Sequence, residues 1–149
     1  MRVVVIRSPE LTPALVSATR RAGLSPLLRA CGERLGIGAR SLVVRLTDDA
    51  ELRRLNAQFL GTDEPTDVLA FPADEPGHVG DIAISVERAV AQATAAGGRP
   101  EDEMRLLAVH GLLHCLGHDH DEADDADAMT ALTRQLLPGQ DVPGLVGHP

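Results

Sequence analysis

Hydrophobic and polar positions change period repeatedly along this chain, and the changes predict alternating strands and helices. A run at 2–7 has β-branched residues at positions 3–6, and a second apolar run covers 41–46, as is typical of strands. Between these runs, apolar residues recur at helical spacing over 15–21 and 25–35. The first third of the chain therefore predicts a strand, two helices and a second strand.

Capping residues and glycines delimit the elements in the rest of the chain. Asp48, with Glu51 three residues later, resembles a capping box, and Ser85 precedes another helical stretch. Three acidic residues open the helical stretch at 101–116, where the helix dipole favours them, and Gly117 ends it. We expect, in order, a helix from Asp48, a loop at 61–66, strands at 67–71 and 80–85, and helices at 86–96, 101–116 and 121–137.

These elements predict an α/β (α+β) fold in a single small domain. The chain has 149 residues, which is the size of one domain, and it contains no internal repeat or interdomain linker. We place the domain at 1–137 and interpret the Pro- and Gly-rich segment 138–149 as a flexible C-terminal tail.

Composition narrows the class of protein. The chain is 44% hydrophobic and 24% charged, as soluble globular proteins are, and no apolar run approaches the roughly 20 residues that a membrane span requires. With two cysteines, a reducing cytoplasm is favoured over a disulfide framework. The net charge of -8 argues against broad nonspecific binding of nucleic acid. Phe59 and Phe71 are the only aromatic residues, so few platforms exist for stacking bases.

Four of the six histidines fall within residues 110–120. His110 and His114 are four residues apart on a predicted helix and therefore share a face, so that both imidazoles can reach one metal ion. Gly117 can adopt the left-handed conformation that turns the chain back. This turn would bring His118 or His120 to the same ion.

The spacing of these residues is similar to that of helical zinc sites of the metzincin type, H-E-x-x-H-x-x-G-x-x-H. The match favours His120 as the third ligand. Three imidazoles and an open fourth position are typical of catalytic zinc, although nickel or copper could occupy the same ligands in vitro. Gly111 stands where a metalloprotease carries its general-base glutamate, which argues against a peptidase.

Three blocks of this chain resemble motifs of the YbeY family of bacterial metal-dependent endoribonucleases and stand in the same order as in that family. Residues 110–120 resemble its signature H-G-x-L-H-L-x-G-x-D-H, with Cys115 as the one departure from the fixed letters. Residues 55–72 resemble L-N-x-x-(aromatic)-R-x-x-D-x-P-T-D-V-L-S-F-P, and residues 80–85 resemble a G-D-I-x-I stretch. The resemblance spans about 42–137.

The resemblance implies a small domain with a mixed β-sheet and a metal-binding cleft at the end of a central helix. It implies one zinc ion held by His110, His114 and His120, and cleavage of single-stranded RNA. The implied roles are maturation of the 3′ end of the small-subunit ribosomal RNA and ribosome quality control. The implied partners are single-stranded RNA, ribosomal RNA, and the small ribosomal subunit or its assembly factors.

One position of this chain departs from the family pattern at a residue that belongs to the family's functional cleft. The family carries an arginine after the aromatic residue, and this chain has Leu60, which cannot hold a phosphate. Arg53 and Arg54 lie about two helical turns before Leu60. That either of them takes over the role of the family arginine is a hypothesis. An alternative reading is therefore a noncatalytic ribosome-assembly or RNA-binding factor with a structural zinc. A hydrolase of another small phosphate or amide substrate is a third, and the sequence identifies no general base.

Overall fold

The structure is a computed structural model that describes residues 1–61, 66–119 and 121–144. Within these ranges, six α-helices and one π-helical turn surround a four-stranded sheet. The strands are β1 (Arg2–Arg7), β2 (Ser41–Thr47), β3 (Val68–Pro72) and β4 (His78–Ser85). The helices are α1 (Pro13–Ala22), α2 (Leu24–Arg34), α3 (Asp49–Leu55), α4 (Val86–Ala96), α5 (Pro100–Cys115) and α6 (Ala123–Leu136), and the π-helical turn is Asn56–Leu60.

The sheet has the strand order β1-β2-β4-β3. Strand β2 pairs in parallel with β1 and β4, and β3 pairs antiparallel with β4. The register places Val44 beside Val5 and Ile82, and Ile82 beside Ala70. The mixed sheet and the α+β class are therefore confirmed.

Helix α5 is the central helix of the fold. It contacts strands β3 and β4 and helices α1, α2, α4 and α6. A helix that is apolar around most of its circumference is stable only when other elements surround it. Its buried residues accordingly run almost without interruption to the C-terminal end: Met104, Leu106, Leu107, Ala108, Val109, His110, Gly111, Leu112, Leu113 and Cys115.

The predicted caps of the two helices that follow β2 and β4 are confirmed, with one change of partner. The Asp48 side chain accepts a hydrogen bond from the Glu51 amide at 2.9 Å, and Ser85 Oγ accepts one from the Arg88 amide at 3.2 Å. The Glu51 carboxylate does not complete a capping box; it forms a two-point pair with Arg45 of β2. Glu51 thereby anchors α3 to the sheet.

One face of the sheet is only partly covered. The other face carries the main core, whereas here α3 and the π-helical turn make their apolar contacts at the β3–β4 side, through a small cluster of Leu52, Leu69 and Ala83. At the β1 side of this face, Val4 and Ile6 are each 41% exposed. The uncovered face therefore presents apolar side chains to solvent.

The chain after α6 contacts the domain as far as the structure describes it. Val142 is 4% exposed, its carbonyl accepts hydrogen bonds from Arg134, and Gln140 donates to the carbonyl of Asp102 at 2.7 Å. The division at residue 137 stays a prediction, and residues 145–149 lie outside the described ranges. None of the described helices combines the length and the apolar character needed to span a membrane.

Candidate metal centre and cleft

The C-terminal end of α5 carries two of the predicted metal ligands. His110 is buried, at 9% exposure, and its Nε2 atom is shielded from solvent. His114, one turn later, is partly exposed. Residues four apart on a helix lie one above the other on the same face. The helix thus directs one buried and one solvent-accessible imidazole to the same side.

A glycine terminates α5 as predicted and also positions a backbone group against a predicted metal ligand. Gly117 has φ 94°, and the backbone amides of Gly117 and His118 donate to the carbonyls of His114 and Leu113, at 3.0 Å each. This pair of hydrogen bonds is the Schellman motif, which requires a residue in the left-handed conformation after the helix. The turn brings the His118 carbonyl to 2.9 Å from His114 Nδ1.

The contact between His114 and His118 defines the tautomer of the His114 imidazole. A carbonyl oxygen only accepts hydrogen bonds, so Nδ1 of His114 carries the proton and donates it. In the neutral ring, Nε2 then holds the lone pair that binds a metal. The same contact explains why His118 lies beside the site: its carbonyl orients the ring of His114.

The residues present fit a zinc ion, since neutral imidazoles are preferred zinc ligands and the tautomer of His114 is fixed. The third predicted ligand, His120, lies outside the described residues. Among residues 1–61, 66–119 and 121–144, no group of three or more His, Cys, Asp or Glu side chains is arranged to hold a metal. The described part of the chain therefore contributes the pair His110 and His114.

A cleft of about 540 Å³ opens beside His114. One wall is the start of β3 with the residues before it, and the other is the C-terminal turn of α5. Its lining residues are Leu60, Thr66, Asp67, Val68, Leu69, Ala70, His114, Gly117, His118 and Asp119. The cleft thus joins the candidate metal ligand to the strand that carries the T-D-V-L block.

Gly111 has a packing role that explains the absence of a protease glutamate. A Cβ atom at this position would lie 2.7 Å from Cγ2 of Ile82 on β4. This distance is far inside normal contact, so no larger side chain fits while the helix keeps its place. The glycine therefore lets α5 lie directly on the sheet, and a general base at this position is excluded by geometry as well as by sequence.

Asp67 is a cleft residue that sequence reasoning misses. It is half-buried, and its Oδ2 accepts a hydrogen bond from Gln92 Nε2 at 3.3 Å. Burial, and secondarily the charge of Asp67, raises the pKa of Glu103 on α5. The available signal was the block T-D-V-L itself, in which an acidic residue stands immediately before a strand.

Leu60 lies at the cleft, where the family resemblance implies an arginine. It is 55% exposed at the end of the π-helical turn, which Gly61 closes in a left-handed conformation. Arg53 and Arg54 are exposed on α3, and neither is among the described residues that line the cleft. The hypothesis that one of them replaces the family arginine receives no support from this geometry.

Two other side chains, Cys115 in the signature and His78 on β4, make structural contacts. Cys115 is buried, as expected; burial, and secondarily the charge of Asp81, raises the pKa of its thiol to about 11. His78 contacts Ser41 and Asp81 through its two ring nitrogens, at 2.8 and 3.3 Å, away from the cleft. The sequence gives His148 no role, and it lies outside the described residues.

A family model described as Endoribonuclease YbeY matches residues 17–139. A Thermus thermophilus protein with this name is 42% identical over 141 residues, which cover 91% of this chain and 98% of the relative. A namesake from Gloeobacter violaceus is 49% identical over 115 residues, covering 70% of this chain and 59% of the relative.

A solved structure agrees with the fold. The solution structure of TM1509 from Thermotoga maritima superposes with a TM-score of 0.62 at 26% identity, covering 91% of this chain and 86% of that one. The match extends over most of both chains, so the arrangement of sheet and central helix is shared.

Proposed function

Since the chain belongs to the endoribonuclease YbeY family, it is an endoribonuclease, a hydrolase of phosphodiester bonds. We propose that it cleaves single-stranded RNA with one zinc ion held by His110, His114 and His120. The observation that carries the proposal is the fixed tautomer of His114 at the mouth of a cleft. Its Nδ1 donates to the His118 carbonyl, so its Nε2 is prepared for a metal.

When bound, a zinc ion would polarise a phosphoryl oxygen and lower the pKa of a water molecule. His110 and His114 would hold it from one face of α5, with the buried ring of His110 limiting movement on the inner side. The Schellman turn at Gly117 keeps the orienting carbonyl in place. These residues thus position the ligand atoms before substrate arrives.

We assign Asp67 the role of proton acceptor in the cleft. Its carboxylate lies in the same cleft as His114, and the amide of Gln92 fixes one of its oxygens. A positioned carboxylate within the substrate cleft is a general-base candidate on geometric grounds. Asp67 would hold the proton at this carboxylate and release it to solvent through the open side of the cleft.

The finer biological role is also part of the proposal. We propose that the RNA is ribosomal, that the reaction serves 3′-end maturation of the small-subunit RNA and ribosome quality control, and that the partners are the small subunit or its assembly factors. We place the protein in the cytoplasm. The support is the family resemblance in the signature and in residues 55–72, together with the scarcity of cysteine.

The test is cleavage of a single-stranded ribosomal RNA fragment by untagged protein, since a histidine tag would bind metal itself. We expect wild type to cut, His114→Ala to lose both bound zinc and cleavage, and Asp67→Asn to lose cleavage while keeping its zinc. His78→Ala is the matched control for bound zinc, because His78 lies away from the cleft and this variant should bind zinc as wild type does. Equal cutting by wild type and His114→Ala would refute the assignment.

The alternative from the sequence, a noncatalytic assembly factor, conflicts with membership of an endoribonuclease family, and the exposed Leu60 at the cleft is the observation in its favour. Leucine can neither hold a phosphate nor stabilise charge that develops on it. This candidate predicts that wild type binds one zinc ion and RNA but does not cut. Under it, Leu60→Arg would be expected to restore cleavage, with Leu60→Gln as the uncharged control.

A further inference from the structure

The uncovered face of the sheet contains an apolar groove separate from the cleft. Its volume is about 470 Å³, and strands β1, β2 and β4 form its floor. Leu55 of α3 and the two phenylalanines form its β3 side. The lining residues are Ile6, Val43, Arg45, Leu55, Phe59, Phe71, Asp81, Ile82 and Ala83.

The groove holds both aromatic residues of the chain. The rings of Phe59 and Phe71 meet edge to face, with centroids 5.6 Å apart and an interplanar angle of 68°. Phe59 is nevertheless 60% exposed. A phenyl ring held by a second ring and left open to solvent is an available stacking surface, and its ordering cost has already been met in the free protein.

The groove and the cleft share a border. Phe59 lines the groove and the next residue, Leu60, lines the cleft. Strand β3 continues this division, since Ala70 lines the cleft and the next residue, Phe71, lines the groove. A strand of RNA that leaves the cleft over the π-helical turn therefore reaches the Phe59 ring first.

The charges of the groove favour a base over a phosphate. Among the described lining residues, the one arginine, Arg45, is held by the carboxylate of Glu51. The other charged group in that lining is the carboxylate of Asp81, which is 55% exposed and has one oxygen 3.3 Å from His78 Nε2. A phosphate would meet an arginine already neutralised and a like charge. A base offers a flat apolar face for the ring and amino groups that a carboxylate can accept from.

We propose that this groove is a base-binding subsite for single-stranded RNA, in which a nucleotide beside the scissile bond stacks on Phe59. The inference rests on the proposed function, because it takes the occupant of the cleft to be RNA. The sequence predicts few stacking platforms, and the two aromatic residues that it has lie together, beside the cleft. A base–aromatic stack strengthens RNA binding largely independently of sequence.

Affinity for a labelled adenosine octaribonucleotide tests the proposal, measured by fluorescence anisotropy at low temperature with the full chain as purified. A gel run afterwards establishes that the RNA is intact. The variants are Phe59→Ala, and Phe59→Leu, which keeps an apolar side chain but removes the ring. Val4→Ala is the matched control, since Val4 is exposed on the same face outside the groove lining.

We expect both Phe59 variants to bind about five- to tenfold more weakly and Val4→Ala to bind as wild type does. Octamers with one abasic ribose, moved along the strand, should show one position where the missing base weakens binding to wild type but not to Phe59→Ala. This readout needs no cleavage, so loss of catalysis and loss of the subsite are distinguishable. Wild-type affinity in both Phe59 variants would overturn the proposal and leave the groove to a protein partner.

Discussion

Replacement of Gly111 by alanine tests how closely α5 rests on the sheet. The new Cβ atom would lie 2.7, 3.1 and 3.2 Å from Cγ2, Cδ1 and Cγ1 of Ile82, where carbon atoms normally approach to about 3.5–4.0 Å. Ile82 is 1% exposed, so its side chain has no free space into which to turn. Either the helix moves outward by about an ångström or the isoleucine leaves its preferred rotamer.

Two effects of opposite sign set the size of the change. Extra atoms in a packed core cost about 1–3 kcal/mol, whereas alanine in a helix interior is favoured over glycine by about 0.8–1 kcal/mol. We therefore expect Gly111→Ala to lower the free energy of unfolding by roughly 0–2 kcal/mol. This range alone does not separate the two effects, so a second background is needed.

The second background is Ile82→Ala, which removes all three atoms that meet the new methyl group. On its own this change should cost about 2–5 kcal/mol. In its presence, Gly111→Ala should stabilise the protein by about 1 kcal/mol, through helix propensity and partial filling of the cavity. The favourable coupling between the two substitutions is expected to be about 1–3 kcal/mol.

Urea unfolding of the four proteins, followed by circular dichroism in a chelator, measures this coupling without a contribution from bound metal. An unchanged slope with a shifted midpoint would show that stability, and not the unfolded state, is affected. An equal change in the free energy of unfolding on Gly111→Ala in both backgrounds would refute close contact between residue 111 and Ile82.

Three further changes have definite expected results. Gly117→Ala should lower the free energy of unfolding by about 1–2 kcal/mol in chemical unfolding, because alanine is strained at φ 94°. The same variant should weaken zinc binding to His114 in a competitive chelator titration. Unchanged zinc affinity would show that the turn does not position His114. Arg45 lowers the pKa of Glu51 by hydrogen bonding and charge. Glu51→Gln should therefore be less stable than wild type by under about 1 kcal/mol above pH 5, and this difference should shrink as pH falls below about 4. A difference in stability that grows in acid would contradict the pairing of Glu51 with Arg45. Cys115 has a thiol pKa of about 11, so it should resist alkylation by iodoacetamide at pH 8 in the folded protein and react in urea. Peptide mass spectrometry would measure both. Rapid labelling of the folded protein would contradict the burial of the Cys115 thiol.

The sequence predicted the parts of the site that depend on local geometry. Histidines four residues apart share a face of any helix, and a glycine that ends a helix adopts one of few conformations, so the arrangement at His114 and Gly117 could be inferred without tertiary structure. The hydrogen bond from His114 to the His118 carbonyl follows from the same turn. The α5 boundary was predicted to within one residue at each end.

Long-range features could not be inferred in the same way. The order β1-β2-β4-β3 places β4 beside β2, although β3 precedes it in the chain, and no local pattern distinguishes this order. Asp67 enters the cleft because β3 pairs with β4 next to α5. The π-helical turn follows α3 without a break, and residues Asn56–Leu60 have ordinary helical spacing, so the wider turn that exposes Phe59 and Leu60 has no sequence signal.

The exchange of arginine for Leu60 and the position of Phe59 bear on the same energetic question. Single-stranded RNA is usually bound through phosphate contacts, and these are weak in a chain of net charge -8 that lacks the cleft arginine. For the proposed RNA substrate, the remaining sources of affinity would be the proposed metal centre and apolar contact with the bases. Leu60 extends the apolar surface of Phe59 toward the cleft, and both side chains are more than half exposed. Leucine at this position therefore costs electrostatic attraction and offsets part of that loss by lengthening the surface on which a base can rest.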